Sequence, residues 1–384
     1  MTEKIYDYDS YLTEFSAKVL SCEKCDKGYK TELDRTLFFP EEGGQCCDRG
    51  EISGISVTYV ELSGDTIYHY TDEPLPVNET VSGKIDFELR FRNMQNHSGE
   101  HIICGIAHRL HGLSNVGFHL GDDIVTMDLD GYLTPEQLSE IEVLANEAVY
   151  RNMPVTAYYP DDNELSTLDY RAKGEISENI RIVKIGDVDI CACCAPHVKN
   201  TGEIGIIKIL DAVKYKGGMR LSILSGMDAL CDYQKKHSQN AKISSLLSAK
   251  QEETFEATSK LLSTIGELNG KLTERVNQIA EILKENLENS DKNICLKLKN
   301  MEIGDLRIVA NELKDKTSAF LILLSGDDEA GYRYVIISNE NDASEFTKNA
   351  NLALSGRGGG RGNMTSGTFM AKFCDIEGYF KERL

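Results

Sequence analysis

Two distant stretches of this chain carry side chains able to hold a metal ion: His97-Ser-Gly-Glu-His101 and Cys193-Cys-Ala-Pro-His197. Residues four apart on a helix share a face, so the first two imidazoles can converge on one ion. Imidazole nitrogens together with a thiolate sulfur suit a tetrahedral zinc ion. If all four side chains bind, the site is closed. Catalysis then needs a displaced ligand, a fifth position, or one ligand that stays loose. Spacing does not fix the thiolate, because Cys191 and Cys194 flank Cys193.

Other cysteines have blander readings. Cys104-Gly-Ile-Ala-His108 repeats the spacing, but eleven residues of helix separate His97 from His108 by roughly 16 Å. Cys104 is therefore read as packing, and Cys22-Glu-Lys-Cys25, with no second such pair, as a strand and turn. Eleven cysteines with no export leader point to a reducing compartment, where clustered thiols serve metal or thiol chemistry before disulfides. The start, Met1-Thr-Glu-Lys-Ile-Tyr-Asp, lacks a basic then apolar leader, and no run of about 18 apolar residues occurs. A cytoplasmic protein is expected. The net charge of −20 argues against a generic nucleic-acid binder. That charge sits in residues 1–290, since residues 291–384 carry 13 basic against 14 acidic side chains. A polyanion must meet a local basic or Gly-rich surface.

Several elements must position these residues. Arg35-Thr-Leu-Phe-Phe39, Gly54 to Val60 and Asp65 to Tyr70 read as short strands around the turn Pro40-Glu-Glu-Gly-Gly-Gln45. From Ile85 to about His111, apolar residues recur at threes and fours, and Gly112 follows as a C-terminal cap. Val125 to Leu129 reads as a strand, and Thr134 with Gln137 forms a capping box opening a helix through Ala148. Ile180 to Ile185 and Gly205 to Leu210 read as buried strands. Leu261, Ile265, Leu268, Leu272, Val276, Ile279, Leu283 and Leu287 step along a long helix or helical hairpin. Its stripe is either a coiled-coil seam or a face against its own domain, and two copies could pair through this spacer or through the C-terminal domain. Two strand runs (319–324 and 332–337) and a helix at 343–353 lead to the Gly-rich loop Gly356-Arg-Gly-Gly-Gly-Arg-Gly362, and a closing helix follows. The expected class is α+β multidomain: a β-barrel-like domain at 1–84, an α+β domain at 85–227, a helical spacer at 228–290 and a C-terminal α/β domain at 291–384.

The metal motifs, with Val198-Lys-Asn-Thr-Gly-Glu-Ile-Gly205 after His197, resemble the editing domain of alanyl-tRNA synthetases and the freestanding alanyl-tRNA editing proteins. Leu33-Asp-Arg-Thr-Leu-Phe-Phe-Pro-Glu-Glu-Gly-Gly-Gln45, with Asp48 and Gly50, is similar to that family's β-barrel signature. The Gly-rich run resembles a loop in the synthetase's C-terminal domain, shared with DHH-type phosphoesterases. The match covers about 35–225 by motif, and the remainder by architecture and one loop.

The resemblance implies hydrolysis of the ester joining a wrong amino acid to the 3′ ribose of tRNA for alanine, serine chiefly and glycine as well. Residues 85–227 would then be the editing domain, with zinc on His97, His101, Cys193 and His197. Glu100 is a candidate general base, set against a solvated or supporting role beside the metal. Thr36 and Gln45 are candidate readers of the serine hydroxyl. A site that hydrogen-bonds that hydroxyl refuses alanine, which leaves a buried polar group unpaired. Arg357, Gly358, Gly359, Gly360 and Arg361 offer backbone N–H groups and guanidinium charge for RNA phosphate. Two alternatives stand: another mischarged species of the threonyl system, or a non-catalytic nucleic-acid-binding or oligomerising protein with structural zinc.

Overall fold

The computed structural model describes residues 1–121, 124–172 and 180–381. It is a mixed α+β chain of two compact units, Met1–Gln239 and Asn240–Leu384, divided within the helix Gly226–Leu247.

The first unit opens with a closed barrel of six strands: Glu14–Cys25, Gly28–Leu33, Thr66–Thr71, Ile55–Ser63, Gly50–Ile52 and Thr80–Ile85, in that order around the barrel. Alternation does the sorting. Along Thr80–Ile85 every second residue is buried and the others face water. Val19, Leu33, Phe38, Ile52, Val60 and Ile67 are fully buried in its core. The strand expected at 35–39 shrinks to Arg35–Thr36. Side chains take the next backbone donors: Phe38 N–H donates to Thr36 Oγ1 at 3.0 Å and Phe39 N–H to Asp48 Oδ2 at 2.6 Å. Leu37, Phe38 and Phe39 thus enter the core off the ladder.

His69 is fully buried here, with Nε2 2.8 Å from Thr36 Oγ1. Burial pulls its pKa from 6.5 down to about 4. Between those values the unfolded chain binds the proton and the native chain does not. The contribution is complete above pH 6.5 and lost as pH falls through about 4, roughly 3 kcal/mol in all. Urea midpoints at pH 7, 5.5 and 4.5 should show this decline, flattened in His69→Gln; parallel profiles for the two proteins would contradict it.

Helix α1, Phe87–His111, follows the barrel. Asp86 caps its N-terminus by accepting from Leu89 N–H, and Gly112, at φ 66°, closes its C-terminus in the left-handed region. It is a core helix on nearly every face: Asn93, Asn96, Ser98 and Glu100 are buried along with Met94, Ile102, Ile103 and Ile106. Around it lie helix α2, Pro135–Tyr150, with the expected Thr134–Gln137 capping box, and two sheets. One is antiparallel, ordered Ile207–Tyr215, Gly218–Ser225, Val125–Leu129, Asn115–Leu120. The other is the meander Val155–Tyr158, Ile182–Ile185, Asp189–Ala192. The strand expected from Gly205 starts at Ile207, because Gly205 is held at φ 76° by the turn before it.

In the second unit, the helix Thr254–Asn286 divides its apolar stripe. Leu261, Ile265, Leu268 and Leu272 are exposed, whereas Val276, Leu283 and Leu287 pack on the unit's own core. That core belongs to a five-stranded sheet ordered Ile294–Leu298, Leu321–Asp327, Gly331–Ile337, Met364–Phe369, Arg357–Arg361. The helix Ile303–Leu313 joins one apolar cluster, and Ala343–Ala353 with Phe373–Lys381 another.

The Gly-rich run is a correction to the sequence reading. It is no loop: Arg357, Gly358, Gly359, Gly360 and Arg361 form an exposed edge strand. A Cβ on Gly358 would lie 2.4 Å from Gly367 Cα and 2.7 Å from the Tyr334 hydroxyl. Glycine here allows close strand approach as well as turning. Among the described residues no helix is long and apolar enough to cross a membrane.

Candidate metal centre and its cleft

The structure brings His97, His101, Cys193 and His197 together. One donor atom from each lies within 4.8 Å of the others. The two α1 histidines come from one helix face, as their spacing predicts. Cys193 and His197 come from an irregular segment after the strand Asp189–Ala192, so their spacing of four is not helical.

Each imidazole is held through its Nδ1 by a different side chain. His97 Nδ1 is 2.7 Å from Gln45 Oε1, His101 Nδ1 is 3.0 Å from Asp189 Oδ2, and His197 Nδ1 is 2.9 Å from Ser98 Oγ. With Nδ1 so engaged, Nε2 is the atom each ring has left to ligate. Cys193 Sγ stands 3.6 Å from His97 Nε2 and 3.4 Å from His197 Nε2. Zinc bond lengths in a tetrahedron give an N···S edge of roughly 3.6 Å. The donor set therefore fits a four-coordinate metal ion in chemistry and in size.

Electrostatics agree. Burial first, then the neighbouring imidazoles His101 and His97, hold His197 well below the usual histidine range, in the neutral form that ligates. Burial pushes the Cys193 thiol well above its ordinary value, so ionising it requires a cation alongside. Neither flanking thiol joins this group of four. Cys191 is grouped with His101 and Asp189, while Cys194 turns toward Gly43, its thiol pushed by burial up to about 12.

Two supporting residues had no motif to announce them. Arg171 donates through Nε and a terminal nitrogen to the two oxygens of Asp189, at 2.7 and 2.8 Å. Burial alone would raise the Asp189 carboxyl, but the bonds from His101 and Arg171 outweigh it and keep the group below its ordinary value. Asp189 is thereby a fixed anion behind His101.

The solvated reading of Glu100 is corrected. Its residue is 2% exposed, Oε1 accepts from Asn115 Nδ2 and from Cys104 Sγ, and Oε2 lies 3.9 Å from His101 Nε2. From Asn96 to Ala107 every residue of α1 is buried, so this stretch of the helix has no wet face to turn Glu100 toward. Cys104 is packing, as expected, and braces Glu100 as well.

Gln45 is fully buried, with Oε1 spent on His97 and Nε2 without a hydrogen-bond partner among the described residues. Thr36 is buried inside the barrel with its Oγ1 engaged by His69 and Phe38 N–H, and neither Thr36 nor Gln45 is among the residues lining the cleft. His97, His101 and Cys193 lie along a cleft of about 1750 Å³, whose walls include Glu100, Asp7, Tyr159, Arg109 and Arg181. That exceeds the ~300–1,000 Å³ of most small-molecule pockets. Arg357 to Arg361 belong to the second unit.

Residues 180–229 match the family described as the threonyl and alanyl tRNA synthetase second additional domain. The alanyl-tRNA editing protein AlaX-L of Pyrococcus horikoshii is 29% identical, the alignment covering 100% of this chain and 98% of that protein. The alanyl-tRNA editing protein Aarsd1 of Mus musculus is 30% identical over 92% of this chain and 90% of its own length. Among solved structures, the C-Ala domain of Aquifex aeolicus alanyl-tRNA synthetase matches 25% of this chain and 93% of that domain, at 25% identity and a TM-score of 0.22.

Proposed function

This chain belongs to the alanyl-tRNA editing protein family and is an aminoacyl-tRNA deacylase, and we propose that it acts in the cytoplasm as a zinc-dependent hydrolase of mischarged tRNA(Ala), chiefly Ser-tRNA(Ala) and also Gly-tRNA(Ala). One observation carries the reading: three imidazoles anchored at Nδ1 and one thiol gather four donor atoms within 4.8 Å of one another beside a cleft of about 1750 Å³, volume enough for a terminal nucleotide. His97, His101, Cys193 and His197 would hold the zinc, which supplies a Lewis acid for the ester carbonyl or a lowered pKa for water.

The chain's own residues do the rest. Glu100, fixed by Asn115 and Cys104, is placed to accept a proton beside His101. Gln45 Nε2 is a buried donor whose bond a serine hydroxyl can complete; alanine would leave it unpaired. Thr36 serves by bracing the turn that carries Gln45 rather than by touching substrate. In this reading the barrel at 1–84 and the editing domain at 85–227 form the reactive end. The helical spacer at 228–290 and the domain at 291–384 meet the body of the tRNA through Arg357 to Arg361.

Release of serine, glycine and alanine from separately charged tRNA(Ala), with and without a chelator, tests this. Serine should leave at least about 100-fold faster than alanine, and the chelator should abolish the reaction. Chelator-resistant turnover, or equal rates for serine and alanine, would overturn it. In the same assay the double variant Arg357→Ala, Arg361→Ala should raise KM at unchanged kcat; an unmoved KM removes the RNA role of that strand.

A further inference from the structure

The metal-bearing segment Cys193–His197 has no helix or strand of its own, so its backbone must be held from outside. Arg181 does much of this. Its terminal nitrogen NH1 donates to the carbonyls of Cys193 and Ala195, at 3.1 and 2.9 Å, while its own carbonyl accepts from Cys193 N–H at 3.0 Å. Cys193 is thus gripped through both of its backbone polar groups by one residue. The guanidinium is in turn held by the chain's first residues. Asp7 Oδ1 is 3.4 Å from Arg181 Nε, and Asp7 Oδ2 accepts from the Tyr159 hydroxyl at 2.9 Å. The two charged side chains are 6% and 11% exposed, so water screens the pair little.

The same N-terminal strap reaches the other ligand. Ser10 Oγ donates to the His197 carbonyl at 3.1 Å, and the Ser10 carbonyl accepts from Arg90 on α1. Tyr11 continues it: its hydroxyl accepts from Lys199 N–H at 3.0 Å and donates to Glu203. Residues 7–11 therefore touch the ligand segment and its continuation at three places, although they precede the barrel and carry no metal ligand.

We propose that Arg181, oriented by Asp7 of the N-terminal strap, is a positioning residue that sets the Cys193–His197 geometry and so tunes metal affinity and turnover. This rests on the zinc reading above. Arginine suits the task because one rigid planar group sets a terminal nitrogen on both carbonyls while its Nε faces a carboxylate; lysine has the charge on a single nitrogen, without that second fixed donor.

The test uses the full chain and the variants Arg181→Gln, Arg181→Lys and Asp7→Asn. Zinc affinity is read by competition with a chromophoric chelator, ligand geometry by the visible absorption of the cobalt(II)-substituted protein, and kcat and KM on Ser-tRNA(Ala). Arg181→Gln should weaken zinc binding about 10- to 100-fold, diminish the tetrahedral cobalt band, and lower kcat with KM little changed. Arg181→Lys should fall between it and wild type, and Asp7→Asn should shift the same way by a smaller factor. A folded Arg181→Gln with wild-type zinc affinity and cobalt spectrum overturns the proposal. If circular dichroism shows that variant unfolded, Asp7→Asn decides, and wild-type affinity there overturns it. A wild type that binds neither metal overturns the zinc reading and this inference with it. Metal binding in the wild type with unmoved variants overturns this inference alone.

Discussion

His101→Ala should reduce release of serine from Ser-tRNA(Ala) on the order of 10³-fold in kcat/KM. The size follows from where this histidine stands. Its ring is 5.2 Å from that of His97 and 4.7 Å from that of His197, centroid to centroid, with Glu100 3.9 Å from its Nε2 and Asp189 behind its Nδ1. Removing it takes one donor from the group of four and one partner from Asp189, whose charge then rests on Arg171 among the described residues. It also opens a void beside Glu100. Loss of a ligand changes the reaction rather than the grip on RNA, so single-turnover rates should fall while tRNA affinity stays within a few-fold. Zinc content measured alongside should drop below one per chain. Equal single-turnover rates for the two proteins would defeat the catalytic role of the cluster.

The histidine pair on α1 was legible from spacing because helix geometry is local: capped by Asp86 and Gly112, the helix puts positions 97 and 101 on one face whatever surrounds it. Its surroundings were not legible. Glu100 reads as solvated on any helix with a wet side, and α1 has none between Asn96 and Ala107, where two sheets and α2 enclose it. Asp189, Arg171 and Arg181 gain meaning from pairings that chain spacing does not encode. Arg171 bridges to Cys191, and Asp189 pairs with Ile185 across a hairpin. That Cys193 is the thiol grouped with three histidines likewise follows from the path of an irregular segment.

The barrel shows the same division. Its strands 55–63 and 66–71 alternate visibly, but Glu14–Cys25 carries Glu14, Lys18, Glu23 and Lys24 outward, and only its end at Cys22–Cys25 reads as strand and turn. The Gly-rich run invites a reading by flexibility, whereas what constrains Gly358 is the space left by Gly367 and Tyr334. The long helix carries one apolar periodicity serving its ends differently: Val276, Leu283 and Leu287 near its C-terminus pack on the second unit's core, although Ile279 among them is exposed.

The largest stability effect expected lies at Arg90. This guanidinium and Asp48 are both fully buried and form a bidentate pair, with Arg90 Nε 3.0 and 3.1 Å from the two carboxylate oxygens and a further bond from a terminal nitrogen. Arg90 also donates to the carbonyls of Leu37, at 2.6 Å, and Ser10, at 3.2 Å. The pair thus ties α1, which carries two ligands, to the barrel turn that carries Gln45 and to the strap that holds the ligand segment. Assembling a buried pair yields little net stability, because desolvation cancels much of the attraction. Breaking it is another matter: Arg90→Met strands a buried carboxylate and two carbonyls, at a cost of about 3–5 kcal/mol. Urea unfolding should show that loss. The double variant Arg90→Met, Asp48→Leu should recover part of it, since the stranded charge is gone. Recovery stays incomplete because Asp48 Oδ2 also accepts from Phe39 N–H. A single variant within 1 kcal/mol of wild type, or a double variant less stable than the single, would show that the barrel and α1 are joined by their apolar contacts rather than by this pair.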